Sequence, residues 1–350
     1  MLEQIIDPLL KWYASNKRDL PFRNHPTPYH IWISEIMLQQ TRMETVIDYY
    51  NRFIVVFPNV YDLASAEEEK LLKMWEGLGY YQRARNLQKS AKVIVEQYNG
   101  VFPNTYEEII SLPGIGDYTA GAILSIAFKR KYPAIDGNVL RVLSRIIASE
   151  RDITETKTKA YFYSLLIDFM PEDSSDFNQA LMELGALICI PNGEPKCIEC
   201  PLKLQCKSQE NEAWRKIPIK KPTKKRKKIN LSMLLIQSED FILLQKRKEI
   251  GVLKGMYELP QLEGHKSKRF IEQYLFDEGF HIAHIEKPLS RVHIFTHLEW
   301  HMKVYLIAVS NRHELEEAKW YSKEEVLNQL MLPSVFRKLI LELVCTENEM

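Results

Sequence analysis

"LPGIGDYTAGAIL", residues 112–124, sets two glycines two positions apart between a proline and an apolar helical run. Proline ends one helix, glycine turns the chain and the apolar run opens another, so the stretch reads as a hairpin between two helices. Gly114 and Gly116 allow backbone N–H groups to face outward at a helix start, where unpaired amides favour an anion such as a phosphate. A helix–helix turn with no ligand fits the same pattern. Tyr118 follows directly, at a place where a reactive side chain would sit.

Outward from this hairpin, residues 1–212 keep a helical period. "TVIDYYNRFIVVF", "EEKLLKMWEGL" and "TKAYFYSLLIDFM" repeat apolar residues at three- and four-residue spacing. Prolines punctuate these runs, as short helices joined by tight loops require. Residues 213–228 read as a Pro- and Lys-rich linker. After Ile229 the texture changes: "INLSMLLIQ", "FILLQKRK" and "HMKVYLIAV" read as strands, "SKRFIEQYLFDEG" and "SKEEVLNQLM" as helices. The expected organisation is a mostly α domain at 1–212, a basic linker at 213–228 and an α/β domain at 229–350. A chain of 350 residues is ample for two such cores.

The formal net charge is +1, yet Lys220–Lys228 holds seven basic residues, which leaves −6 for the rest. Such a run is either a solvated connector or a contact for phosphate backbone. No apolar stretch approaches the ~18 residues of a membrane span. "MLEQIIDPLLKWY" reads as an amphipathic helix rather than a secretory leader. A reducing, cytoplasmic setting is the expectation, and cysteines there are read for metal before disulfides.

Four of the five cysteines crowd into "CIPNGEPKCIECPLKLQC": Cys189, Cys197, Cys200 and Cys206, spaced C-x7-C-x2-C-x5-C. Four thiolates in one loop suit tetrahedral zinc or a [4Fe–4S] cluster, and spacing alone leaves both open. Lys196, Lys203 and Lys207 interleave with them and make the loop positive. Cys345 stands apart and is expected to be unliganded.

Two carboxylates draw attention. Glu35 lies in "IWISEIMLQQTR" among Trp32, Ile33, Ile36, Met37 and Leu38. Burial there would raise its pKa and keep a proton available near neutrality, as a general acid requires; a surface glutamate at the edge of an apolar stripe is the alternative. Asp136 opens "DGNVLRVLSR". It is either an ordinary helix N-cap or a fixed anion facing a developing positive charge.

Together these segments resemble the helix-hairpin-helix DNA glycosylase superfamily, endonuclease III-like members included. "LPGIGDYTAGAIL" resembles its hairpin, "AIDGNVLRVLSR" its catalytic aspartate segment, and the cysteine loop after "FNQALMELGALIC" its [4Fe–4S] loop. "WISEIMLQQTR", "WEGLGYYQRARNL" and Phe295–His297 resemble signatures of the MutY-type adenine glycosylases, which remove adenine mispaired with 8-oxoguanine. The resemblance covers nearly the whole chain. It implies Glu35 as proton donor, Asp136 as stabiliser of a cationic transition state and Tyr118 beside them in the catalytic set. It implies a [4Fe–4S] cluster on the four cysteines. Gln40 and Tyr80 resemble residues that wedge into the duplex, and Arg18, Leu20 and Arg23 part of an adenine pocket. Thr41, Leu78, Gly114 and Gly116 join the DNA contacts, and Phe295, Thr296 and His297 resemble an 8-oxoguanine reader.

Three departures stand out. The first cysteine interval is seven where the family usually has six, placing an extra residue near Asn192–Gly193. Phe22 stands for the usual tryptophan and Thr296 for the usual serine. The C-terminal domain resembles a Nudix fold, but near "RFIEQYLFDEGF" it lacks the paired glutamates that would hold Mg²⁺.

The implied reaction is hydrolysis of the N-glycosidic bond of adenine opposite 8-oxoguanine or guanine, in base excision repair. The expected partner is double-stranded DNA, acted on by a cytoplasmic, nucleoid-associated monomer with no membrane contact. Two rivals are an endonuclease III-like glycosylase with lyase activity, which would carry a lysine where Tyr118 stands, and a non-catalytic iron–sulfur damage-binding protein.

Overall fold

Thr27, Asn59 and Thr105 each place a side-chain oxygen on the first free amides of a helix, and this use of short polar caps divides the N-terminal half into many short helices. The computed structural model describes residues 2–210, 212–222, 225–248 and 251–344, so Cys345 lies outside the described residues. Two units form: Met1–Glu67 with Gln82–Pro222, and Glu68–Tyr81 with Thr223–Met350.

The first unit is helical. One of its cores joins the helices Ile6–Asn16, Gly137–Ile146, Thr156–Phe169 and Ser175–Leu187 through Leu9, Val139, Leu143, Phe162, Phe177 and Leu181. Leu202 is buried in the same core and Cys189 and Cys200 pack at its edge, so the cysteine loop is seated on packed helices. The stretch read as a linker is structured as far as Lys221. Trp214 and Ile217 are buried, Ile219 bridges Asp152, and Lys221 pairs with Glu155 at 2.8 Å. Apolar side chains among the lysines dock it.

The second unit is built on one sheet of eight strands: β1 (Lys227–Ser238), β2 (Phe241–Lys246), β3 (Tyr257–Glu258), β4 (Gln261–Glu263), β5 (Ile282–Ile285), β6 (Leu289–Ile294), β7 (Leu298–Val309) and β8 (Ala318–Ser322). The order is β3-β2-β1-β7-β5, with β4 on β1, β6 on β7 and β8 on β2. The β1–β7 pair is parallel, from Lys227↔Leu298 to Gln237↔Ala308. Helices Lys323–Asn328 and Ser334–Leu343 cover one face through Val326, Phe336 and Ile340; helix Lys268–Asp277 covers the other through Ile271 and Leu275. Burial on both faces explains why "LSMLLI" is a continuous buried run rather than an alternating one.

Candidate active site

Helix Pro28–Leu38 begins with Pro28 after the Thr27 cap, and its residues from Ile31 to Met37 are all buried. Glu35 is therefore inside, 6 % exposed, and not on the helix surface. Burial raises its carboxyl from 4.5 to about 7; the Asp136 charge adds to this, while the Tyr118 hydrogen bond and Arg23 oppose it. A shift of that size corresponds to roughly 3 kcal/mol between the two protonation states. The Tyr118 hydroxyl donates to Glu35 Oε2 at 2.5 Å. Burial, reinforced by Glu35, pushes the Tyr118 hydroxyl well above its ordinary value, so it stays a donor.

Tyr118 is delivered by the hairpin, helices Tyr106–Ser111 and Asp117–Ala122. Gly114 sits at φ +81, and a Cβ there would lie 2.7 Å from Asn86. Gly116 is different. Its φ of −112 suits any residue and nothing lies within 4 Å of its missing side chain, so the fold does not demand glycine there. Gly116 is the N-cap of helix Asp117–Ala122, a position that favours glycine, and it leaves backbone open to approach.

Asp136 is the N-cap of helix Gly137–Ile146. One oxygen accepts from the Val139 amide at 2.7 Å and the other from Asn138 Nδ2 at 2.8 Å. Burial raises its pKa, and these two donors with Arg141 oppose the rise. The same side chain therefore caps this helix and lines the cavity.

Glu35, Tyr118 and Asp136 meet in a cavity of about 830 Å³ with Arg18, Phe22, Arg23, Gln40 and Thr41 on its walls. Leu20 does not line it; that side chain is 2 % exposed and faces a neighbouring pocket of about 250 Å³ that shares Arg18 and Arg23. Sequence reading missed Glu183. Its buried carboxylate accepts from Arg18 Nε at 2.7 Å and Arg23 Nη2 at 2.8 Å in the cavity wall, and although burial works the other way, the two guanidinium groups hold its pKa down. The signal was present: a glutamate in the apolar helix "FNQALMELGAL", the same pattern that marked Glu35.

Arg83 was also passed over. Its Nη1 donates to the carbonyls of Ile36, Met37 and Gln39, and its Nη2 to Thr41, tying down the end of the Glu35 helix. Gln40, in that turn, has φ 58, an unusual conformation for a non-glycine. Lys159 and Lys220 also line the cavity, both exposed.

The four cysteines of the loop carry no disulfide and line one small pocket with Arg145, Ile188 and Trp214. Burial raises the Cys200 thiol to about 12 and lifts Cys197 and Cys206 as well. Such thiols are poor nucleophiles, and a metal centre is what would draw off their protons. Among the described residues no three His, Cys, Asp or Glu side chains stand as a single-ion site. Arg145 Nη1 donates to Cys189 Sγ at 3.3 Å. The donor set fits a sulfur-ligated group seated against apolar walls. Gly193, φ +78 and exposed, lies in an open bend of the longer first interval.

In the second unit, Phe295–His297 form the turn between β6 and β7, closed by Phe295 N to Leu298 O at 2.8 Å. Thr296 and His297 are exposed, while Phe295 is half-buried on Trp300, ring centroids 4.8 Å apart. Tyr80, at φ 49 and half exposed, shares a 2.9 Å hydrogen bond with the Thr296 hydroxyl, and Leu78 is buried.

Residues 33–166 match the family model described as HhH-GPD superfamily base excision DNA repair protein, and residues 232–342 match a NUDIX domain. An adenine DNA glycosylase of Buchnera aphidicola (subspecies Acyrthosiphon pisum) is 37 % identical over 301 residues, 85 % of each chain. The chain belongs to the adenine DNA glycosylase family. The human adenine DNA glycosylase is 33 % identical over 91 % of this chain and 70 % of its own. A solved structure described as a thermostable thymine-DNA glycosylase is 29 % identical with TM-score 0.55, over 59 % of this chain and 96 % of that one. Adenine removal in base excision repair, by cleavage of an N-glycosidic bond, is the activity of this family member.

Within that activity, the Tyr118–Glu35 bond makes a pH prediction. If Glu35 is the general acid it must be protonated, and excision should then fall as pH rises through about 7. Tyr118 donates to the ionised carboxylate and lowers its pKa; Tyr118→Phe should move this alkaline limb to higher pH. Single-turnover rates between pH 6 and 9 test it, and an unmoved limb would mean that Glu35 does not set it.

Proposed function

We propose that the chain excises adenine opposite 8-oxoguanine, and more weakly opposite guanine, by hydrolysis with Glu35 as acid and Asp136 as the anion facing the sugar. The carrying observation is the buried Glu35, held by Tyr118 in one cavity with Asp136. DNA is the partner, and extrusion of adenine from the stack is required because C1′ is shielded in the duplex. Glu35 protonates N7, the C1′–N9 bond breaks with its electron pair passing to the base, and Asp136 stabilises the oxocarbenium-like sugar until water adds to C1′ and gives up a proton to solvent. Arg18, Arg23 and Glu183 form a charged wall for the base. Gly114 and Gly116 present backbone to a phosphate, and Gln40, Thr41, Leu78 and Tyr80 act at the strand around the mispair. Tyr118 offers no amine for a Schiff base, and the lysines on the cavity wall are solvated, which supports base removal without strand cleavage.

Cys189, Cys197, Cys200 and Cys206 hold a [4Fe–4S] cluster, which when bound supplies a rigid, charged anchor for the basic loop. Anaerobically purified protein should contain iron in the proportion of one such cluster, and Cys200→Ser should lose it. Stoichiometric zinc with no iron would make the loop a zinc site. No helix among the described residues is long and apolar enough to cross a membrane. The free thiols favour a reducing cytoplasm, where the protein works on the nucleoid as a monomer.

The lesion reader is Thr296 with His297, placed by Phe295. Because Phe295 packs on Trp300, the cleaner variant is Thr296→Ala with His297→Ala. Adenine release from A:8-oxoguanine, A:G and A:T duplexes tests the substrate. Wild type should prefer the first, and the double variant should lose about tenfold of that preference. An equal preference in both proteins would remove the reading role.

A further inference from the structure

The segment Glu68–Tyr81 interrupts the helical unit in sequence, yet it packs with the second unit. Helix Lys323–Asn328 ends with carbonyls that have no partner inside the helix, and these attract cations. Lys73 Nζ donates to the Leu330 carbonyl at 3.2 Å and to that of Leu327 at 3.5 Å, and Arg337 Nη1 donates to Leu327 at 2.9 Å. Glu76 lies between the two cations, 2.8 Å from Lys73 and 3.2 Å from Arg337, with its side chain only 12 % exposed. A lone surface ion pair contributes little, but a partly buried network of three charges and two carbonyls holds its members in one geometry.

Four residues beyond Glu76, the chain turns through Gly77 (φ 101) and Gly79 (φ 68) into Tyr80, with Trp75 Nε1 bonded to the Gly79 carbonyl at 3.1 Å. The left-handed backbone of Tyr80 costs on the order of 1 kcal/mol and persists only where its surroundings enforce it. Its hydroxyl is tied to Thr296.

We propose that Lys73, Glu76 and Arg337 form a clamp through which the C-terminal unit positions Tyr80 for insertion into the duplex. This unit then supports excision at any adenine mispair, and not lesion reading alone. The proposal rests on the assignment of Tyr80 as an intercalating residue. The three clamp side chains are positioning residues and touch no substrate.

The test uses full-length Arg337→Ala, Tyr80→Ala and the double variant. In Arg337→Ala, amide exchange across residues 68–81 should become about tenfold faster while residues 137–187 keep their protection. Unchanged exchange at 68–81 overturns the clamp. Single-turnover excision from A:G duplexes, where no oxidised base is present to be read, should fall in both single variants. It should fall no further in the double, because the two act through one contact. Additive losses would show Arg337 acting elsewhere and overturn the proposal. Arg337→Lys, which keeps the charge, should restore most of the rate. A Tyr80→Ala enzyme with wild-type excision would overturn the intercalation premise, and is distinguishable because the exchange result is independent of it.

Discussion

Glu35→Gln should lower adenine release by about 10²–10⁴-fold, the range a positioned proton donor contributes. The amide is nearly isosteric and can still accept from Tyr118, so the helix Pro28–Leu38 and the cavity keep their shape. Only the transferable proton is lost. Binding to a mispaired duplex should therefore stay within a few-fold, which separates chemistry from recognition. The variant should also lose the decline of rate expected above about pH 7 if the Glu35 carboxyl sets that limb. Single-turnover release and equilibrium binding on the same duplex make the comparison. A variant within tenfold of wild type would remove Glu35 from the role.

Asp136→Asn should be nearly as damaging, about 10²–10³-fold in excision, because a preorganised charge facing the sugar is lost. Its effect on folding should be small. Asparagine caps helices about as well as aspartate, so the Val139 amide keeps its acceptor and the melting temperature should hardly move. A large loss of rate at unchanged stability is the signature expected. Full activity would show that the carboxylate serves only to start helix Gly137–Ile146. Lower stability with a proportionate loss of rate would point the same way.

The residues that announced themselves in sequence did so by violating a local rule. Glu35 put a carboxylate among apolar neighbours, and the cysteine loop put four thiols where disulfides are out of place. Glu35, Tyr118 and Asp136 lie on one cavity. Glu183 carries the same signal as Glu35 but lay inside a helix read only as the approach to the cysteines. Leu20 was read toward the base, but it is the extended residue before helix Pro21–Asn24 and lines the adjoining pocket instead. In the second unit the long strands β1, β2 and β7 were visible from their apolar runs. Strands β3 and β4 have two and three residues, too short for a period to register. Strand β6 leaves Val292 and Ile294 exposed, so its alternation points the wrong way for a buried strand. Nor could periodicity assign Glu68–Tyr81 to the second unit. Its partners lie far along the chain, and only the fold brings them together.

That distance has a meaning in time. Glu76 and Arg337 are 261 residues apart, and at ordinary rates of translation such an interval takes on the order of tens of seconds. The helices of the first unit can assemble on the ribosome during that delay, but Glu68–Tyr81 has no Arg337 to meet until the interval has been made. The parallel β1–β7 ladder imposes a shorter wait, since partners such as Lys227 and Leu298 are 71 residues apart. A nascent chain stopped short of helix Ser334–Leu343 would carry Tyr80 on an unclamped segment, so the geometry of that tyrosine waits on residues made long after it.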